Sequence, residues 1–158
     1  MKILALDQAQ NMTGYAVFED SDLHKWGVID YHREDVELRL PLMTNHILLL
    51  MNKYQPDVVV FEGVSLRDSV QRLIHLAWVQ GCIIEMCLER KIPYEIYQPT
   101  LWRKILEFTQ RNDMSRKALK EQAVDYVKTC YGIRVNDNAA EAICIALAYL
   151  TDSGILLD

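Results

Sequence analysis

The sequence predicts an α/β fold: a mixed five-stranded sheet, a three-strand antiparallel meander plus two parallel strands, flanked by helices. Three observations predict it. Short apolar runs separated by turn residues crowd the first 31 positions, the pattern of an antiparallel meander. Val58-Val59-Val60-Phe61 is an unbroken apolar run between Gln55-Pro56-Asp57 and Glu62, and such runs belong to central strands buried on both faces. From residue 33 onward, long segments of helical period alternate with short apolar ones, which is the βαβ pattern of a parallel sheet.

The elements follow in order. Residues 2–6 and 15–18 are strands, with Asn11, Thr13 and Gly14 as turn residues between them. Residues 24–31, carrying Trp26, Val28, Ile29 and Tyr31, form the third strand. Over 33–54, Leu38, Leu42, Ile47, Leu48 and Met51 recur at helical steps, and Pro41 implies a late start or a kink. Residues 58–61 are the buried strand, 69–90 a long helix and 94–97 a short strand. Pro99 and Trp102 open a short helix, 115–131 is a helix ended by Gly132, and 138–150 is a last helix rich in Ala, Ile and Leu.

Length and composition bound the function. At 158 residues the chain makes a single domain, residues 1–158. A net charge of -5 excludes a uniformly basic nucleic-acid-coating protein but leaves room for a local basic patch. Cys82, Cys87, Cys130 and Cys144 form no CxxC pair and no zinc spacing. They read as small core residues in a reducing cytoplasm. The longest uncharged stretch, 40–52, falls short of the ~20 residues of a membrane span. Asp7 interrupts the first apolar run too early for a secretory signal. A soluble, cytoplasmic protein is expected.

Two acids mark a candidate site. Asp7 ends the first strand and Glu62 ends the buried strand, at the sheet edge where open α/β folds bind ligands. If those strands are neighbours, the carboxylates face each other and repel unless a cation or a proton lies between them. Oxygen donors of this kind suit Mg²⁺ or Mn²⁺. The alternative is a pair of strand-end acids in separate solvated loops. A third acid opens the last helix, in Asp137-Asn138-Ala139-Ala140-Glu141. Residues 138 and 141 share a helical face, as do 137 and 141. The competing reading is a capping box, with Asn138 as the cap and Glu141 three residues on. Between 103 and 120 six basic side chains stand against two acidic ones, a local +4 that leaves the rest of the chain at -9. That segment is either a solvated helix face or a phosphate-binding rim.

Taken together, the motifs resemble a family. Ile3-Leu4-Ala5-Leu6-Asp7 followed by Thr13-Gly14-Tyr15-Ala16-Val17, then Pro56-Asp57-Val58-Val59-Val60-Phe61-Glu62, Gly81-Cys82-Ile83-Ile84 and Ala139-Ala140-Glu141-Ala142-Ile143-Cys144-Ile145-Ala146 are similar, in order and spacing, to RuvC-type Holliday junction resolvases. The likeness runs from about residue 3 to residue 150, and the short length resembles bacteriophage members. It implies an RNase H-like fold, a homodimer and Mg²⁺-dependent cleavage of four-way or branched DNA in recombination or repair, with Mn²⁺ as an alternative ion and two ions per active site. It implies Asp7, Glu62, Asn138 and Glu141 as the catalytic, metal-holding set.

The sequence departs from the family at two places. Asn138 stands where the family has Asp, and Asp137 is the substitute ligand available next to it. Three positions after Glu62, where the family often carries an aromatic wedge, stands Ser65, with Leu66 beside it. Leu66 is either an apolar wedge or an ordinary loop residue. The resemblance turns the basic segment toward DNA: Arg67, Lys104, Arg111, Arg116, Lys117 and Lys120 are the expected phosphate contacts. It also makes the helix 69–90, with Trp78, the expected dimer face. Two other readings stay open: a junction-binding protein of the same fold that cuts weakly because of Asn138, and another RNase H-like nuclease. A sugar kinase-like ATPase needs two such domains and a second phosphate loop, for which 158 residues leave no room.

Overall fold

The computed structural model describes residues 1–66 and 69–156. Its strands are β1 (Lys2–Asp7), β2 (Met12–Glu19), β3 (Asp22–Asp30), β4 (Val58–Glu62) and β5 (Tyr94–Tyr97). Its helices are α1 (Val36–Tyr54), α2 (Val70–Glu89), α3 (Pro99–Ile105), α4 (Arg116–Tyr131) and α5 (Asp137–Asp152). The strands lie in one sheet in the order β3-β2-β1-β4-β5. β1, β2 and β3 pair antiparallel, and β4 and β5 add in parallel beyond β1. This is the mixed, helix-flanked sheet that the sequence predicts.

Pleat parity divides the core. Ile3 and Ala5 of β1, Ala16 and Phe18 of β2, and Val58 and Val60 of β4 point to the face covered by α3, α4 and α5. Leu4, Leu6, Val17, Val59 and Phe61 point to the other face, under α1 and α2. Burial on both sides is why β1 and β4 read as unbroken apolar runs. α5 lies flat against β1 and β2, and its Ala139, Ala140, Ala142, Ala146 and Ala148 are all buried. Their small side chains let the helix axis approach the sheet closely.

Several local expectations need correction. Thr13 and Gly14 are not turn residues: β2 begins at Met12, and Gly14 pairs with Asp7 across the ladder. The connection is closed instead by the buried Thr13 hydroxyl, which donates to the Ala9 carbonyl at 2.8 Å and accepts from the Ala9 amide at 3.2 Å. Asn138 does not cap α5. Asn136 does, its side chain accepting from the Asn138 amide at 2.8 Å, so the capping box gives way and Glu141 is released for other contacts. Cys130 is exposed rather than in the core, because it lies in the last turn of α4, beyond the buried stripe of Ala123, Val124 and Val127. α1 starts at Val36, five residues before Pro41, and carries Pro41 within the helix, so Pro41 does not set its start. Ser69 and Ser115 cap α2 and α4, and Gly132 ends α4 at φ 68°.

Candidate active site

Parity and register assemble the acids. Ala5 lies opposite Val60 and Leu6 opposite Phe61, so Asp7 and Glu62 end adjacent strands side by side. Asp7 follows Ile3 and Ala5, and Glu62 follows Val58 and Val60. Both carboxylates therefore rise on the α5 face. There the first turns of α5 bring Glu141, and ligand atoms of Asp7, Glu62 and Glu141 lie within 4.8 Å of one another. Gly14 makes this approach feasible. It sits on the same face of β2, and a Cβ there would fall on the Asn138 carbonyl and 2.8 Å from the Ala139 nitrogen.

Each carboxylate has its own support. Gln8 is buried and continues the β1–β4 pairing with its side chain: Nε2 donates to the Glu62 carbonyl, and Oε1 accepts from the Glu62 amide at 3.3 Å. The Trp102 indole Nε1 donates to Glu62 Oε2 at 3.0 Å. Arg103 lies at 2% exposure, stacked 4.6 Å from the centroid of the Trp102 ring. Its guanidinium reaches Glu141 Oε1 at 3.3 Å, and Glu141 is itself 4% exposed. Breaking such a buried pair from one side costs about 3–5 kcal/mol. Arg103→Met is therefore expected to lower the unfolding free energy by about 3 kcal/mol or more, and Arg103→Lys by less, as read by urea melts.

The electrostatics follow from this crowding. Burial, then the charges of Glu141 and Glu62, push the Asp7 carboxyl well above the usual carboxylate range, against the opposing charge of the Lys120 ammonium. Three converging carboxylates form a donor set suited to a hard divalent cation, whose charge would relieve their mutual repulsion. Asp7 and Glu62 open onto a cavity of about 320 Å³ lined also by Gln8, Ser65, Arg72, Arg116, Lys120 and Asn138, with Glu141 buried behind it.

The other expected residues separate. Asn138 lines the cavity, but its Oδ1 accepts from Lys120 Nζ at 2.9 Å. Asp137 stands outside the group formed by Asp7, Glu62 and Glu141, 3.8 Å from the same ammonium. Arg116 and Lys120 line the cavity, whereas Lys104 and Lys117 are exposed and lie outside its lining. Arg111 pairs with Asp113 at 3.2 Å on the surface. Leu66 is exposed, and Arg67 lies outside the described residues. Sequence reasoning missed Gln8, Trp102 and Arg103 as site residues. The signal available for Arg103 was its place one residue after a Trp in a short helix that must return to the sheet edge.

The family model for crossover junction endodeoxyribonuclease RuvC matches residues 3–149, nearly the whole chain. The chain belongs to this family. Among similar RuvC proteins, that of Caldicellulosiruptor saccharolyticus is 26% identical, with 99% of this chain and 96% of the relative covered. That of Thermomicrobium roseum is 25% identical, covering 94% and 92%. Two solved structures share the RuvC fold seen here. RuvC of T. thermophilus in complex with a Holliday junction substrate has a TM-score of 0.79 at 16% identity and covers 98% of this chain and 96% of its own. The Fowlpox virus resolvase, solved with substrate Holliday junction DNA, has a TM-score of 0.67 at 16% identity, covering 99% and 100%. Among the described residues no helix is long and apolar enough to cross a membrane.

Proposed function

We propose that this RuvC-family chain is a structure-selective endonuclease that hydrolyses phosphodiester bonds at four-way or branched DNA, in recombination or repair. The observation that carries the reading is the convergence of Asp7, Glu62 and Glu141 at the edge of the β1–β4 pair, beside a cavity rimmed by Arg72, Arg116 and Lys120. Acids alone repel phosphate, and the basic rim offsets that repulsion. Mg²⁺, with Mn²⁺ as substitute, would be held by Asp7, Glu62 and Glu141. When bound, it supplies Lewis-acid charge to the phosphate and lowers the pKa of water. Of the two ions that the resemblance implies, the second would need the Asn138 corner.

The chain's own residues do the positioning. Trp102 and Gln8 fix Glu62, and Arg103 fixes Glu141, so the carboxylates are set before substrate arrives. Arg116 and Lys120 hold backbone phosphate at the cavity. Lys104, Lys117 and Arg111, with Arg67 from outside the described residues, add further phosphate contacts. The enzyme works as a homodimer through α2, so that two sites nick opposing strands. Ile74, Trp78 and Leu88 of α2 are exposed, and Leu40, Ala77, Trp78, Gly81 and Cys82 form a shallow apolar hollow there. One RNase H-like domain, residues 1–158, carries all of this in the cytoplasm of a bacterial cell, the host's if the chain is phage-encoded.

A substrate panel tests the reading. In Mg²⁺, the chain is expected to nick a synthetic four-way junction in paired strands and to leave linear duplex and an RNA–DNA hybrid of the same sequence intact. Equal cutting of the hybrid would make it another nuclease of this fold. Tight junction binding without nicks would make it a binding protein.

A further inference from the structure

We propose that Lys120 takes the place of a second metal ion, so that the site works with one divalent cation and one fixed ammonium. The proposal rests on the endonuclease reading above and deepens it. Lys120 stands in the second turn of α4 and reaches across to the start of α5, where its Nζ lies 2.9 Å from Asn138 Oδ1 and 3.8 Å from Asp137 Oδ2. Its side chain is 19% exposed and lines the same cavity as Asp7, Glu62 and Asn138. The ammonium is thus fixed at the one corner where a second cation would have to be held.

Two features make the exchange coherent. An amide oxygen at 138 brings no charge to attract a divalent ion, and here it is already committed to a cation. A second divalent ion there would meet the Lys120 ammonium, and the one carboxylate beside it, Asp137, already faces that ammonium at 3.8 Å. Asn138 and Lys120 are therefore read as a matched pair, the amide orienting the lysine toward the phosphate.

In the reaction, Lys120 acts by charge alone. The water oxygen forms the new P–O bond and the P–O3′ bond breaks. A proton from that water replaces phosphorus on the 3′ oxygen, so Lys120 keeps its own proton throughout. Its ammonium offsets negative charge that grows on the phosphoryl oxygens. Because this role requires Lys120 to contact the phosphate directly, it is that of a catalytic residue rather than a positioning one.

The test counts ions without DNA. Mn²⁺ titration followed by electron paramagnetic resonance is run on the wild type, on Asp7→Asn, and on the double variant Lys120→Met with Asn138→Asp. The number of ions lost in Asp7→Asn defines those belonging to the site. One ion per chain is expected for the wild type and two for the double variant. In parallel, Lys120→Met alone should keep its Mn²⁺ ion and its fold by circular dichroism, yet lower the single-turnover nicking rate about 10²–10³-fold, with Lys120→Arg partly restoring it. Two site ions in the wild type, or a wild-type rate in Lys120→Met, overturns the proposal. Because the ion count needs no substrate, two ions in a chain that still cuts junctions would reject the role of Lys120 and leave the endonuclease reading standing.

Discussion

Asp7→Asn is expected to raise the melting temperature of the metal-free protein at neutral pH while abolishing metal-dependent cleavage. Burial and the charges of Glu141 and Glu62 hold the Asp7 carboxyl well above its ordinary range in the folded chain. A carboxyl of that kind favours the folded state below its unfolded value, and this contribution is lost as pH rises through the folded one. At pH 7.5 the site therefore works against the fold, through a proton retained at Asp7 or a third charge forced among two others. Asn removes the conflict and can donate to a neighbouring carboxylate. A gain of about 3 °C or more corresponds to roughly 1 kcal/mol at this chain length. The gain should shrink toward about pH 4, where Asp protonates in the unfolded chain as well. Mg²⁺ or Mn²⁺ should raise the melting temperature of the wild type and have little effect on the variant. Calorimetry across that pH range checks all three statements.

The second large effect is expected at Gly14, a residue with no chemistry of its own. An added Cβ meets the backbone of Asn138 and Ala139, which cannot turn aside as a side chain can. Gly14→Ala must push the start of α5 off β2, and α5 is the most deeply buried helix of the fold. A cost of about 3 kcal/mol is at the upper end for overpacking, or about 6–12 °C of melting temperature. Glu141 and Asn138 ride on the displaced turn, and a shift near 1 Å is enough to reduce the nicking rate about 10²-fold. A crystal structure of the variant with α5 unmoved, or a melting temperature equal to the wild type, would show that β2 and α5 are not locked by this contact.

What the sequence revealed and what it concealed divide along the reach of local pattern. Asp7 and Glu62 were legible because each ends an apolar run, and strand parity then decides which face they share. The helix opening at Asp137 was legible from its turn residues and alanines, although the cap is Asn136 and not Asn138. Gly14 looked like a turn glycine because nothing in β2 announces a helix from more than a hundred residues later. Arg103 was counted into a basic rim, yet it is buried beneath Glu141, 38 residues away. Charge pattern alone cannot tell a solvent-facing guanidinium from one neutralised by a distant acid. The same holds for Lys120, whose partner Asn138 read as a defect in an acidic set until the ammonium beside it was seen.

The proposed function requires Asp7, Glu62 and Glu141 to act together as one divalent-metal centre that cuts branched DNA. The most direct measurement is single-turnover nicking of a four-way junction by the wild type and Asp7→Asn, side by side, in Mg²⁺ and in EDTA, with junction binding followed by gel shift. The expected result is paired nicks by the wild type in Mg²⁺ alone, and equal binding without nicks by the variant. Nicking by Asp7→Asn at the wild-type rate, or by the wild type in EDTA, would rule out a three-carboxylate metal centre as the cutting site.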